Sequence, residues 1–115
     1  MLTALGQLLL ERVKNRVVVV GSYARNEGFD FKDLDLLYDM DSVPARAEVE
    51  EAVLATGCQY DSALVGSWSL PSWETGIAIE LLPIHNGASY RKARRNATQQ
   101  EVLGVLLWVA RKEDA

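Results

Sequence analysis

Four consecutive valines, at positions 17–20, constrain the fold of this chain more than any other feature. β-Branched side chains favour extended backbone, and an unbroken apolar run is typical of a strand that is buried on both faces. We therefore expect residues 16–20 to form a strand inside a sheet that helices cover.

Directly after this strand comes the pair Gly21 and Ser22, and ten residues later the pattern Asp33-Leu34-Asp35. Side chains in a strand alternate between faces, so the two aspartates of a strand over residues 33–39 project to the same side. Two such carboxylates repel each other unless a cation neutralises them, and carboxylate plus phosphate oxygens are ligands suited to Mg²⁺.

The Gly-Ser pair supplies the complementary half of such a site. Gly21 allows the backbone to approach a ligand closely, and Ser22 offers a hydroxyl and an amide at the start of a predicted helix, where N–H groups attract phosphate. The motif therefore predicts a site for a metal-bound triphosphate.

The stretch 17–38 resembles the signature of the DNA polymerase β-like nucleotidyltransferase superfamily, most closely its small prokaryotic minimal nucleotidyltransferase branch. In that branch Gly-Ser is followed by ten residues and Asp-x-Asp, often with Ala-Arg soon after the serine. The chain has the same register: Gly21, Ser22, Ala24, Arg25, Asp33 and Asp35. The resemblance implies a nucleotidyltransferase-like fold, ATP or another NTP as substrate, Mg²⁺ held by the two aspartates, and terminal phosphates gripped by Gly-Ser.

Family members usually add a third carboxylate from a later strand. Glu80 is the one later acid inside an apolar β-like segment, residues 76–84, and is the predicted third catalytic and metal-binding residue. It either completes a two-metal site or draws the proton from an acceptor hydroxyl. Arg25 either contacts the triphosphate or pairs with Glu27 or Asp30, and the sequence leaves both open.

The resemblance implies transfer of a nucleoside monophosphate, in the first instance AMP from ATP, to an acceptor hydroxyl. In the minimal branch it implies one specific reaction, transfer of AMP by an antitoxin onto a tyrosine of its partner toxin, so a protein partner is expected. The alternative is a fold of this type that has lost turnover and acts as a binding or inhibitory protein, for example a phage or plasmid accessory factor. Lys32, where Ser or Thr is usual, and Glu80, where Asp is commoner, keep that alternative open.

Length and composition indicate one domain over residues 1–115, since 49% of residues are hydrophobic and 24% charged. No apolar stretch approaches the roughly 20 residues that span a bilayer, so no membrane association is expected. The single cysteine, Cys58, cannot form an internal disulfide, which favours a cytoplasmic location. The sequence leaves open the base preference, the acceptor, and the oligomeric state, a homo-oligomer included.

A net charge of −4 argues against a general nucleic-acid binder. Ten acids but only two basic residues lie between positions 26 and 61. A basic cluster near the C-terminal end could meet nucleotide phosphates, an acidic partner or only water, and a solvated face is favoured; it consists of Arg91, Lys92, Arg94 and Arg95.

The remaining patterns predict an α+β fold, a small mixed β-sheet covered by helices. A first helix is expected over residues 2–14, and a second from an N-cap at Asp41 or Ser42 to Gly57. A last helix is expected from a capping box at 98–101 to Arg111. Residues 89–96 are expected to form either a separate short helix or the first part of that last helix. Strands are expected over 59–65 and 77–84, joined by a loop. Trp68 and Trp73 are expected in the core or at an interface rather than stacked on a base, and His85 and Tyr90 are expected to be structural.

Overall fold

The computed structural model of the protein describes residues 4–25, 33–60, 64–71 and 77–115. Its helices are α1 (Ala4–Val13), α2 (Gly21–Arg25), α3 (Val43–Thr56) and α4 (Gly87–Asn96), and a 3₁₀ turn, Lys112–Asp114, follows the last strand. Its strands are β1 (Val17–Val20), β2 (Asp33–Asp39), β3 (Gln59–Tyr60), β4 (Trp68–Leu70), β5 (Ala78–Ile84), β6 (Thr98–Val102) and β7 (Val105–Val109).

All seven strands belong to one mixed sheet in the order β3-β4-β5-β2-β1-β7-β6. β2 runs parallel to β5 and antiparallel to β1, while β1 runs parallel to β7. Helices α1 and α3 pack together on one face, and α4 packs on the other. The prediction of an α+β fold with a mixed sheet covered by helices is confirmed.

Strand β1 is buried on both faces, as the valine run predicted. Val17 and Val19 belong to the main core under α1 and α3, whereas Val18 packs with Ala93 of α4 and with Ala110. All three valines are fully buried. β1 therefore separates two apolar layers and holds the chain that follows it in a fixed position between them.

Helix α3 begins and ends where its capping residues predicted. The Ser42 hydroxyl accepts a hydrogen bond from the Ala45 amide at 3.3 Å, and Pro44 occupies the first turn. At the other end Gly57, with φ of 71°, donates its N–H to the Val53 carbonyl at 2.9 Å. Within the described part of the chain, no helix is both long and apolar enough to cross a membrane.

The predicted C-terminal helix is wrong: residues 98–109 form a β-hairpin of β6 and β7. Leu103 and Gly104 make its two-residue turn, both with positive φ, at 54° and 86°. Buried Val105, Leu107 and Val109 alternate with more exposed residues, which is the period of a strand. A short apolar run fits both the helical period of 3.6 residues and the strand period of two, and pairing with β1 decided in favour of a strand here.

The stretch between α3 and β5 also differs from the prediction. Residues 59–65 were expected to form one strand. β3 covers Gln59–Tyr60, residues 61–63 lie outside the described part of the chain, and Leu64 and Val65 are exposed and belong to no strand. β4 instead lies in the stretch predicted as a loop, where it pairs with both β3 and β5. The turn before β4 passes through Gly66, with φ of 86°, which is a conformation that L side chains rarely adopt.

Candidate functional site

The two motif aspartates lie on the face of the sheet that α1 and α3 do not cover. Leu34, Leu36 and Tyr38 of β2 are buried in the main core, so the alternating Asp33 and Asp35 project to the opposite side. Asp33 is exposed and Asp35 is half-buried. The predicted separation of leucines and aspartates between the two faces is confirmed.

Strand pairing brings Glu80 next to this pair. β2 and β5 run parallel with Asp35 opposite Glu80 and Asp33 opposite Ala78. Paired residues on neighbouring strands share a face and lie about 4.8 Å apart along the hydrogen-bonding direction. Asp35 and Glu80 are therefore direct neighbours, and the register that places them side by side could not be read from the sequence.

Gly21 lies against the Asp35 carboxylate. A Cβ atom at position 21 would overlap Asp35 Oδ2 and would lie 3.1 Å from its Cγ. Gly21 also has φ of 73°, a conformation that is costly for other residues. Space and backbone conformation thus both require glycine, and the start of α2, with half-buried Ser22, is held beside the carboxylate.

The other oxygen of Asp35, Oδ1, is buried. Among the residues that the structure describes, no group donates a hydrogen bond to Asp35 Oδ1. Buried polar atoms in proteins are nearly always paired, and an unpaired acceptor costs about 1–3 kcal/mol. With a second carboxylate, Glu80, on the adjacent strand, the position favours a cation as the missing partner.

These residues fit Mg²⁺ as a partial ligand set rather than as a closed cage. In residues 4–25, 33–60, 64–71 and 77–115, no three His, Cys, Asp or Glu side chains are grouped so that they could hold a metal ion together. Mg²⁺ in nucleotide sites is usually held by one or two carboxylates, with phosphate and water oxygens completing the octahedron. Asp33 and Asp35 lie on one face, and Asp35 Oδ1 is buried with no hydrogen-bond partner among the described residues, so the two carboxylates match that pattern.

Arg25 makes a contact that the sequence did not predict. Its Nη1 donates to the backbone carbonyl oxygen of Ala115 at 3.4 Å, and α2 packs against the 3₁₀ turn. Glu27 and Asp30, its alternative partners, and Lys32 lie outside the described residues. Arg25 thus ties α2 to residues that follow β7.

A polar groove of about 300 Å³ extends from Glu80 toward the edge of the sheet. Ser69 of β4 lies opposite Glu80, and Gln59 of β3 lies opposite Ser69, so the polar row continues across three strands. Sequence reasoning missed this groove because β4 was expected to be loop. The alternation Ser67-Trp68-Ser69 is the signal that could have found it. The groove is lined by Gln59, Tyr60, Ser67, Trp68, Ser69, Glu80 and Leu82.

The basic cluster of α4 is partly engaged in structure. The Arg94 guanidinium stacks on the Trp108 ring, 3.5 Å from its centroid, and Lys92 Nζ lies 3.8 Å from a carboxylate oxygen of Asp114. Arg91 and Arg95 are exposed, as expected for a solvated face. These contacts favour a structural role for half of the cluster.

The remaining candidates are structural. His85 Nδ1 pairs with Asp41 at 3.3 Å on the surface, beyond the end of β5 that is farther from Glu80. Half-buried Trp68 packs on the main core and meets Tyr60 edge to face, with ring centroids 5.1 Å apart. Burial raises the pKa of Tyr90. Trp73 lies outside the described residues.

In comparisons with known proteins, no family model, no curated protein and no solved structure matches this chain. A functional assignment therefore depends on the motif of residues 17–38 and on the geometry around Asp35.

Proposed function

We propose that this protein is a magnesium-dependent nucleotidyltransferase that transfers a nucleoside monophosphate, AMP from ATP in the first instance, to an acceptor hydroxyl. One observation carries the proposal: Asp35 has a buried oxygen that accepts no hydrogen bond from the described residues, while its other oxygen lies against a glycine that no other residue could replace without overlap. A carboxylate with no structural partner costs stability, and such a cost is typical of functional sites.

Each motif residue has a role in binding the nucleotide. Asp33 and Asp35 would hold Mg²⁺ through carboxylate oxygens. When bound there, the ion neutralises phosphate oxygens and makes the α-phosphorus more open to attack. Gly21 lets the Asp35 carboxylate lie against the backbone at the start of α2, and the Ser22 hydroxyl donates a hydrogen bond to a phosphate oxygen.

Glu80 lies where the acceptor would enter. In the proposed reaction its carboxylate takes the proton of the acceptor hydroxyl, and the acceptor oxygen forms a bond to the α-phosphorus. The bond from the α-phosphorus to the oxygen that bridges to the β-phosphate breaks, and pyrophosphate leaves with that electron pair. The polar groove beside Glu80 supplies Ser69 and Gln59 as hydrogen-bonding groups for the acceptor.

The acceptor is proposed to belong to a partner protein. The minimal nucleotidyltransferase resemblance supports a tyrosine hydroxyl of a toxin as that acceptor.

A second candidate function is a non-catalytic binding protein with the same site. The contact between Arg25 and Ala115 favours it, because it holds at the surface of the 3₁₀ turn a guanidinium that could otherwise match triphosphate oxygens. The two candidates differ in nucleotide affinity and turnover.

Calorimetry with α,β-methylene-ATP, whose α–β linkage cannot be cleaved, tests the binding step. The wild type should bind the analogue only with Mg²⁺, and Asp35→Ala should lose this binding. Asp41→Ala is the matched control, because Asp41 is an exposed carboxylate that pairs with His85 away from the site. Binding that is independent of Mg²⁺, or that survives in Asp35→Ala, would contradict the proposal.

Pyrophosphate release from each of the four NTPs, with a candidate partner protein, tests turnover and base choice. Asp33→Asn should abolish release without unfolding the protein, because Asp33 is exposed. Undiminished product from this variant would remove Asp33 from the mechanism. Magnesium-dependent binding without release would favour the non-catalytic candidate.

A further inference from the structure

The opposite face of the sheet carries a second, apolar groove of about 470 Å³, between the C-terminal half of α3 and strand β4. Trp68 pairs with Leu81, which is buried in the core under α1 and α3, whereas Ser69 pairs with Glu80 on the carboxylate face. The groove therefore lies on the opposite face of the sheet from Glu80, although Trp68 lines both this groove and the polar groove. It is lined by Glu50, Val53, Leu54, Gly57, Cys58 and Trp68, and we call it the α3–β4 groove.

Large apolar side chains are exposed around this groove. Leu54, on its wall, is 84% exposed, although it lies in a helix whose preceding residue, Val53, is buried. Tyr60, whose ring meets the Trp68 ring, is also exposed. Single exposed hydrophobic residues are ordinary, but a concentration of them beside a concave surface marks an interaction site.

Trp68 and Gly57 form opposite parts of the α3–β4 groove. Trp68 is held by its strand pairing and by its edge-to-face contact with Tyr60. Gly57 ends α3, and no atom of the described residues lies within 4 Å of the position where its Cβ would be, so the described part of the chain leaves the space beside it open. Ordered aromatic side chains next to open space are the common anchors of protein interfaces.

The charge around the groove is negative. Among the described residues, Glu50 is the one charged side chain in its lining, and Glu51 is exposed beside it on α3. Glu48, which precedes Glu50 by two residues in α3, is paired with Arg16. Half-buried Arg46 does not line the groove. An apolar floor with an acidic rim is complementary to an apolar anchor flanked by basic residues.

We infer that the α3–β4 groove docks an amphipathic segment of a partner protein, which inserts aliphatic or aromatic side chains over Trp68 and presents Lys or Arg to Glu50 and Glu51. The segment binds as a helix in a groove, with anchors one turn apart. The small contact area makes the interaction weak and reversible, and the ionic rim makes it sensitive to salt. This inference does not depend on the nucleotidyltransferase proposal.

A peptide selection tests the inference whatever the identity of the partner. A displayed library of random segments of about 15 residues, or roughly four helical turns, is selected on the full wild-type protein and counter-selected on Leu54→Glu. Leu54 is exposed, so this substitution places a charge at the groove without disturbing the core. Enriched peptides should carry apolar anchors three or four positions apart between Lys or Arg. Enrichment of acidic peptides, or no enrichment over the counter-selected variant, would overturn the inference.

Cys58 reports occupancy of the groove directly, because it is the only cysteine in the chain and lines the groove. Burial raises the pKa of its thiol, so its reaction with a disulfide reagent is followed above pH 8. A selected peptide at saturation should slow this reaction by about tenfold, because access to the thiol is lost. Added salt should restore the rate.

Leu106→Glu is the matched control, because Leu106 is a half-exposed leucine on β7, remote in the sheet order from β4. Protection of Cys58 should persist in Leu106→Glu and disappear in Leu54→Glu. Equal protection in both variants would place the peptide elsewhere and overturn the inference. A wild-type dimer in sedimentation equilibrium that Leu54→Glu converts to a monomer would assign the groove to a second copy of this chain and overturn the inferred partner.

Discussion

Replacing Asp35 by alanine should make the metal-free protein more stable, although it removes a residue of the proposed site. The substitution deletes a buried oxygen that accepts no hydrogen bond from any described residue, and it removes one of two neighbouring carboxylates. A buried unpaired acceptor costs about 1–3 kcal/mol. The lost packing against Gly21 offsets part of this, so the expected net gain is about 1 kcal/mol.

The gain is large enough to measure. At about 2.1 cal/mol/K per residue, the unfolding entropy of a 115-residue chain is about 0.24 kcal/mol/K, so 1 kcal/mol raises Tm by about 4 °C. Thermal and urea unfolding are compared in a chelating buffer. Asp33→Ala is the control, because Asp33 is exposed on the same strand and face, and its change should stay within about 0.5 kcal/mol.

Bound ligand should make the wild type more stable than Asp35→Ala, the reverse of their order without ligand. A magnesium–nucleotide complex at ten times its Kd stabilises the wild type by about 1.4 kcal/mol, and it should leave Asp35→Ala unchanged. A metal-free Asp35→Ala variant that melts below the wild type would refute the reasoning, because it would show that the carboxylate is stabilised in the folded state.

Three further outcomes are expected. Gly21→Ala should lose about 1–2 kcal/mol in urea unfolding because of its positive φ, and more because its Cβ would overlap the Asp35 carboxylate; an unchanged midpoint would contradict the close approach of these two residues. Tyr38→Phe should lose about 1–2 kcal/mol, because the Tyr38 hydroxyl donates to the Gly66 carbonyl at 2.5 Å. Burial raises the pKa of Tyr38 to about 12, so the folded state favours the protonated phenol. The resulting contribution to stability is present below pH 10 and is lost between pH 10 and 12. Tyr38→Phe should not show this loss. Asp114→Asn should unfold more easily than the wild type at pH 7 but equally easily in acid. Burial raises the pKa of the Asp114 carboxyl, but hydrogen bonds from Arg111 and Asn96 more than offset this effect, so the pKa is lowered. The stability that comes from the lowered pKa is lost as the pH falls through that pKa.

Local signals in the sequence predicted much of the chain. The valine run predicted a strand buried on both faces, and the Ser42 and Gly57 caps bounded α3. These predictions depend on contacts within a few residues, such as the hydrogen bond from Ala45 to Ser42, so they hold in any fold that keeps the element.

The C-terminal hairpin shows where local signals fail. Residues 102–109 satisfy both helical and strand spacing, and Leu103 adopts a positive φ that its own preference opposes. The open edge of β1 is completed by β7, so the hydrogen bonds of the sheet outweighed the capping box at 98–101.

The sequence by itself determined the chemistry that Asp33, Asp35, Gly21 and Ser22 can offer, because side-chain type and strand alternation are local properties. Only the tertiary structure decided that Glu80 lies beside Asp35 and that Arg25 contacts Ala115. It also placed the Asp35 carboxylate so close to Gly21 that a side chain at position 21 would overlap it. The register of β2 and β5, which are far apart in sequence, is set by the packing of their apolar side chains under α1 and α3, which no short segment of the chain encodes.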